Sequence, residues 1–364
     1  MGGLTVDLGA QHLRHGWPSH VSAPAPYRNV FIESLALEVP PHRVASKVIE
    51  DELSPTYQRL GIPAGCFESL VGITARRFWP EGTTIADAAT TAARKAYAQA
   101  GNKELLARTG LVISTSVCKD YIEPSVAALV RGQLGLSTEC EAFDLGNACL
   151  GFMNGMDLAA MWIEQRRVDV ALVVVAESSR HVVQRTVQRL NQPATTLQDY
   201  REALPTLTLG SGAVAMLLVH KDLATTTHAV RGSVTLGDSA SSTVCLGTAE
   251  WMKTDAPRLL NSGVELAHRT FTRARERLGW TRENLAHLIC HQVGAIHVAT
   301  LCQRLELDLE KAFLTYPEHG NIGPAAVPMT LGLAVESGRV KEGDRCALMG
   351  IGSGLSCAMM EVVW

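Results

Sequence analysis

FDLGNACLGFMNGMDLA, residues 143–159, is the stretch from which the rest of the chain can be read. Glu141 to Leu145 reads as a short strand. Gly146 and Asn147 make a tight turn, and a helix is expected from Leu150 to Gln165. Cys149 stands at the helix start, where exposed N–H groups and the helix dipole favour thiolate over thiol. Gly146, Ala148 and Gly151 are small neighbours that leave room for a substrate. A thiol placed this way suits a nucleophile that becomes acylated. A buried structural cysteine is the plainer reading, and it is retained for the other eight, at 66, 118, 140, 245, 290, 302, 346 and 357.

Outward from this turn, strands alternate with helices. Upstream come a strand from Asn29, a helix Ile85–Ala100 stopped by Gly101, a strand Leu111–Val117 and a helix Ser125–Leu134. Downstream follow a strand Val170–Ala176, a mixed segment over 177–208 that suggests a helical cap, and a strand Ala213–Val219. Residues 233–258 read as loop. Then come a helix Val264–Leu278, a strand His287–Cys290, helices to about Leu305 and about Glu336, and closing strands Arg345–Met349 and Leu355–Val363. This order predicts an α/β fold with mostly parallel buried sheets and two halves of similar rhythm. The expected boundaries are an extension over 1–27, a half over 28–222 carrying the cysteine, and a half over 223–364. The extension holds His12, His15 and His20 among prolines, and simple solvation is expected for them.

Composition narrows the class. The 364 residues are 46% hydrophobic and 19% charged, with net charge -3. That excludes a disordered chain and argues against a general nucleic-acid binder, which needs a basic face. An odd number of cysteines without a CxxC pair fits neither a disulfide framework nor zinc, so no metal is expected. Reduced cysteines and no visible signal peptide suggest the cytoplasm. The run Val170–Ala176 is too short to span a membrane. No GxxxxGK[ST] or GxGxxG motif is present, so no nucleotide cofactor is expected.

Four further segments could carry chemistry. In LICHQVGAIH (288–297), His291 sits where a buried strand passes into a helix, and a neutral imidazole there can donate to a carbonyl oxygen. A satisfied core histidine is the alternative, and His297 reads as a helix-surface residue. In YPEHGNIGPAAVP (316–328), Asn321 presents an amide N–H at a glycine turn; it could also be a plain turn residue, and His319 and Glu318 receive no role. In GIGSGLS (350–356), backbone N–H groups can lie beside an oxyanion, and a hairpin turn is equally expected. In KDYIEPS (119–125), Glu123 is held extended before Pro124 and could serve as a base or simply start a helix. The pair Arg76 and Arg77 near Trp79 could meet phosphates or merely be solvated.

Together, TSVCKDYIEPS (115–125), NACLGFMNGMD (147–157), HQ at 291–292, EHGNIGPAAVP (318–328) and LMGIGSGLSCAMMEVVW (348–364) resemble the thiolase superfamily. Within it they are similar to the β-ketoacyl synthase III branch, and most to the acyl-CoA condensing enzymes of bacterial olefin and β-lactone biosynthesis. The resemblance spans roughly residues 28 to 364. It implies a five-layered αβαβα fold of two duplicated halves, a homodimer, and a Cys149–His291–Asn321 triad. It also implies backbone donors at Cys149 and Gly352, and a Glu123 that reaches into the neighbouring subunit's site. The implied substrates are fatty acyl-CoA or acyl-carrier thioesters, with no cofactor, and downstream enzymes of the same pathway are possible partners. The usual HQAN reads HQVG here, with Gly294 in place of Asn, which disfavours a malonyl-carrier elongation enzyme. Three rival functions are a malonyl-using synthase, an acyltransferase to an alcohol or amine, and a non-catalytic scaffold subunit. Carbon dioxide release, alcohol-dependent CoA release, and an unreactive Cys149 would mark them respectively.

Overall fold

The structure, a computed structural model, describes residues 27–364. The reading of residues 1–26 lies outside that range. Tyr27, assigned above to the extension, is instead buried, and its hydroxyl donates to the Asp157 carboxylate at 2.9 Å.

Among the described residues thirteen strands occur in chain order. They are β1 (Val30–Glu38), β2 (His42–Ala45), β3 (Ala75–Phe78), β4 (Thr109–Ser114), β5 (Glu141–Asp144), β6 (Val170–Glu177) and β7 (Gly212–His220). The second half holds β8 (Ala229–Gly237), β9 (Cys245–Gly247), β10 (Met252–Thr254), β11 (His287–Cys290), β12 (Arg345–Gly352) and β13 (Ser356–Val363). Nine of them form one ladder, β11-β12-β13-β8-β1-β7-β6-β4-β5. Its two parts join where Phe31 of β1 pairs with Ala229 of β8, beside the bond from Ile32 N to His228 O at 2.7 Å. On one side β1 and β7 are antiparallel, as are β7 and β6, while β6, β4 and β5 run parallel. On the other, β8 and β13 are antiparallel, as are β13 and β12, while β12 and β11 run parallel. An isolated parallel bridge from Leu288 to Ala312 continues that side where β5 continues the first. The same topology thus occurs twice. The ladder is mixed, which corrects the expectation of mostly parallel sheets: β7 and β13 return antiparallel through the middle of each half.

Five layers follow from which residues bury together. One face of the first sheet (Val112, Leu172, Val174, Ala215, Leu217) packs on the helix Ile85–Ala100. That helix presents Ala86, Ala89, Ala92, Ala93 and Ala96, and small side chains let it lie close to the sheet. Gly101 ends it at φ 67, as the sequence predicts, and Thr84 caps its start by accepting from Asp87 N. The opposite face (Ile113, Val173, Val175, Val214, Met216) buries the helices Gly151–Glu164 and Ala326–Glu336 against Ile289, Leu348 and Met360 of the second sheet. The far face of that sheet (Leu288, Cys290, Ala347, Met349, Met359) lies under Ala256–Leu278 and Ala295–Leu305. β6 and β7 are buried at every residue, and their stretches Val170–Ala176 and Ala213–Val219 read as unbroken apolar runs.

The stretch 233–258, expected as loop, holds most of β8 and the β9–β10 hairpin. The pairing of β8 with β13 shifts register at Arg231, so Glu361 faces Gly232 while Val362 faces Val230. β8 does alternate buried Val230, Gly232 and Val234 with the more exposed Arg231, Ser233 and Thr235, but its glycines and small polar residues give it the composition of a loop. The helix expected from Val264 begins at Ala256, capped by the Asp255 side chain. The cap expected over 177–208 is two helices, Arg180–Leu190 and Leu197–Leu207.

Candidate active site

Cys149 lies on a sharp elbow between β5 and the helix Gly151–Glu164. Ala148, just ahead of it, takes the left-handed φ of 45°, which an L-residue adopts at a cost of about 1–2 kcal/mol. The N–H groups of Leu150 and Gly151 turn back to Asn147 O and Ala148 O, at 3.0 and 3.1 Å. The Asn147 amide donates to Asn154 Oδ1 at 2.7 Å. Gly352, at the end of β12, runs against this elbow: a Cβ on it would stand 3.0 Å from Asn147 O and 3.1 Å from Leu150 N. Gly350 is equally crowded by Met153 and Leu150. The glycines therefore let the backbone of β12 reach the nucleophile turn, while 350–356 is also the β12–β13 connection. Helix-dipole activation of the thiol does not prevail in this state. Burial pushes Cys149 up to about 12, and the nearby Glu177 and Cys245 add to the rise, so it rests as a thiol. The helix begins only at Gly151, so Cys149 stands ahead of its first turn.

His291 follows β11, with its backbone N–H on Met349 O at 2.8 Å. Burial, reinforced by His297, drives its imidazole down to about 3, so it is neutral as the sequence reading expects. His297 is not the surface residue expected. Its ring meets His291 edge-on at 6.4 Å, and both line an apolar cavity with Val264, Ala267, Leu301 and Met359. Gly294 has φ 152, and a Cβ there would come within 2.8 Å of Val71 O. No asparagine fits that backbone, which explains the departure from HQAN.

Asn321 is buried, and both its backbone and its side chain are committed. Its N–H donates to Thr208 O at 2.9 Å and its carbonyl accepts from Gly210 N at 2.8 Å. Its side-chain Oδ1 accepts from Gly323 N at 2.9 Å. This orients the amide so that Nδ2 carries the free donors, and no acceptor among the described residues takes them. Glu318 and His319 beside it look outward and inward. Glu318 pairs with Arg43 at 2.7 Å and is held down at about 2 by that guanidinium, while burial lowers His319.

Gln292, passed over beyond its place in the HQ pair, ties the histidine segment to the backbone that leads toward the Asn321 turn. Its Nε2 donates to Phe313 O at 2.6 Å, and its Oε1 accepts from Thr315 N at 2.8 Å and Tyr316 N at 3.1 Å. Removing it leaves buried amides unpaired. Gln292→Ala is expected to lower stability by about 1–3 kcal/mol, measured as a shift of the urea midpoint at constant slope.

Glu123 lies on an exposed loop beside Tyr121 and Ile122, the latter 99% exposed, and no hydrogen bond among the described residues holds its carboxylate. Asp144 braces that loop, accepting from Lys119 Nζ at 2.8 Å and from Ala127 N at 3.0 Å. The expectation for Arg76 is corrected. It is fully buried, donates to Ser46 Oγ and Leu207 O, and lies over the Phe67 ring, so it has no free face for phosphate. Arg77 is half-buried on β3. Among the described residues no cluster of three or more metal-ligating side chains occurs. No described helix is long and apolar enough to cross a membrane.

Comparison with known proteins decides the family. The C-terminal domain family of 3-oxoacyl-[acyl-carrier-protein (ACP)] synthase III matches residues 276–364. The acyl-CoA:acyl-CoA alkyltransferase of Xanthomonas campestris is 44% identical over 338 residues, covering 93% of this chain and 99% of that protein. The alkyltransferase of Shewanella oneidensis is 37% identical over 350 residues, with the same coverage. Crystalline Xanthomonas campestris OleA with cerulenin bound superposes at TM-score 0.91 with 44% identity, covering 93% of this chain and 98% of that one. The chain belongs to the OleA family of acyl-CoA:acyl-CoA alkyltransferases. Its fold is accordingly the thiolase fold expected from the resemblance, and it is an acyltransferase. Other OleA structures from Xanthomonas campestris carry substitutions at a cysteine, a histidine and a glutamate. One of them holds lauric acid and lauroyl-CoA, and it superposes at TM-score 0.90 over 93% of this chain.

Glu177 also escaped the sequence reading, which ended the strand at Ala176. The available signal was an acid closing an all-apolar strand, since sites in α/β sheets gather at strand carboxyl ends.

Proposed function

We propose that this protein joins two fatty acyl-CoA molecules by a Claisen condensation without decarboxylation, as a homodimer in the cytoplasm, with its halves divided near residue 222. The observation that carries the reading is spacing. The glutamate, cysteine and histidine altered in the Xanthomonas campestris OleA variants stand at the same separations along that chain as Glu123, Cys149 and His291 do here. The lauroyl-CoA found in one of those structures supports a CoA thioester as substrate.

In the first step Cys149 sulfur attacks the thioester carbon of one acyl-CoA. The new C–S bond forms, the bond to CoA sulfur breaks, and CoA leaves as the thiol. Backbone N–H groups of Cys149 and Gly352 stabilise the oxyanion. The second acyl-CoA places its thioester oxygen between His291 and the Nδ2 of Asn321. Glu123 of the partner subunit takes the α-proton. The enolate carbon then attacks the acyl carbon on Cys149, forming the C–C bond and returning the sulfur to the enzyme. Hydrolysis of the 2-alkyl-3-oxoacyl-CoA yields the β-keto acid, the precursor of olefin or β-lactone.

Magnitudes explain the arrangement. A carboxylate is a weak base for an unactivated α-hydrogen, so the enolate must be stabilised. One oxyanion donor supplies about 3–4 kcal/mol, and two close much of the gap. No metal or cofactor is needed in this scheme.

Incubation of the purified protein with myristoyl-CoA alone tests the reading. The β-keto acid loses carbon dioxide spontaneously, so gas chromatography is expected to show a symmetrical long-chain ketone. Release of CoA with no ketone, and only when an alcohol or amine is added, would overturn condensation in favour of acyl transfer.

A further inference from the structure

Glu177 is a buried carboxyl that none of these steps uses. It closes β6 and is 6% exposed. Its Oε1 accepts from Val117 N at 2.6 Å and its Oε2 from Cys118 N at 3.3 Å, at the root of the loop that carries Glu123. The same carboxyl lies against Gly323, where a Cβ would stand 3.8 Å from its carboxyl carbon. Gly323 is the residue whose N–H fixes Asn321 Oδ1. The Glu177 backbone is pinned as well, its carbonyl accepting from Trp79 Nε1 at 2.9 Å. One rigid side chain therefore abuts both the base-bearing loop and the turn that aims the amide donor.

We infer that Glu177 is a positioning residue for condensation, its ionised carboxylate keeping the Glu123 loop and the Asn321 turn in register once Cys149 is acylated. The inference rests on the roles proposed above for Glu123 and Asn321. The physical argument is donor–acceptor matching. An ionised carboxylate accepts both loop amides, whereas a neutral carboxyl turns an O–H toward a site already filled with N–H donors. Burial raises Glu177 to about 7, and the amide bonds from Val117 and Cys118 oppose that rise. The titratable groups facing it are Cys118 from the loop and Cys149 from the elbow, while the Gly323–Ala325 turn brings none. No lysine or arginine among the described residues pairs with it. Burial first, and the nearby Glu177 second, favour the neutral thiol at Cys149 in the free enzyme. The thioester formed there is neutral as well, so the carboxylate meets no opposing charge from Cys149 in either state.

The test uses the full chain with myristoyl-CoA, reading acyl-Cys149 by intact mass and condensation by ketone. Glu177→Gln is expected to acylate within about twofold of the unsubstituted protein and to condense at least about tenfold more slowly. Glu177→Asp, which keeps the charge, recovers part of that loss. The unsubstituted protein's condensation rate falls as pH drops through about 7, because protonation removes the accepting carboxylate, and the Gln variant lacks that step. Condensation by Glu177→Gln at the full rate with an unchanged pH profile overturns the inference. So does a parallel loss of acylation and condensation in both variants with lowered melting temperature, the mark of a merely structural residue. Failure of the underlying reading shows separately, as no ketone from the unsubstituted protein, and removes this inference with it.

Discussion

Glu123→Gln protein mixed with myristoyl-CoA is expected to gain one acyl group on Cys149 and to form ketone about a hundred- to ten-thousandfold more slowly than the unsubstituted enzyme. The two half-reactions separate because only the second removes a carbon-bound proton. Glutamine preserves the size of Glu123 and its place before Pro124, but it has no lone pair basic enough to accept the α-proton. The side chain is exposed and has no partner among the described residues, so the substitution should leave the melting temperature unchanged. Intact-protein mass spectrometry reads the acyl adduct, and chromatography reads the product. A variant that no longer acylates would refute the role assigned to Glu123. In mixed dimers, Glu123→Gln with Cys149→Ala, activity should reappear at one site of two, as a base supplied in trans requires.

Asn321→Asp separates the two functions of the asparagine side chain. Aspartate keeps an oxygen to accept from Gly323 N–H, so the turn and the backbone bonds to Thr208 and Gly210 survive. It replaces the free Nδ2 donors with an acceptor that carries negative charge. An enolate oxygen held there would lose one donor and meet repulsion. Condensation is expected to fall by at least about a hundred- to a thousandfold, the usual cost of one oxyanion donor, with little change in the urea midpoint. Asn321→Ala loses the donors and the turn bond together, so it should show both a slower rate and a lower midpoint. Equal rates for Asn321→Asp and the unsubstituted enzyme would remove Asn321 from the reaction.

The residues that can be read locally were legible. Val170–Ala176 is apolar at every position, and that continuity places it between layers without any coordinates. Gly101 ends the helix Ile85–Ala100 through its own capping chemistry. β8 was not legible, because Gly232, Ser233, Thr235 and Gly237 give it the composition of a loop even though its buried and exposed residues alternate. Arg76 and His297 were misread for another reason. Both are polar residues whose covers come from far along the chain: Leu207 and Ser46 for Arg76, and the apolar cavity under the helix Ala256–Leu278 for His297.

By itself, then, the order of residues determined the α/β class, the strand–turn–helix setting of Cys149, and the glycine-bordered turns at Asn321 and Gly352. Each of these depends on side-chain size, backbone freedom or capping within a few neighbours. Only the tertiary structure decided that burial pushes the Cys149 thiol up, that Gln292 joins the histidine segment to the backbone of Phe313 and Thr315, and that Glu177 accepts from the root of the Glu123 loop beside Gly323. Those properties arise from desolvation and from contacts between segments separated by tens to hundreds of residues, and no local pattern encodes which distant segment will exclude the water.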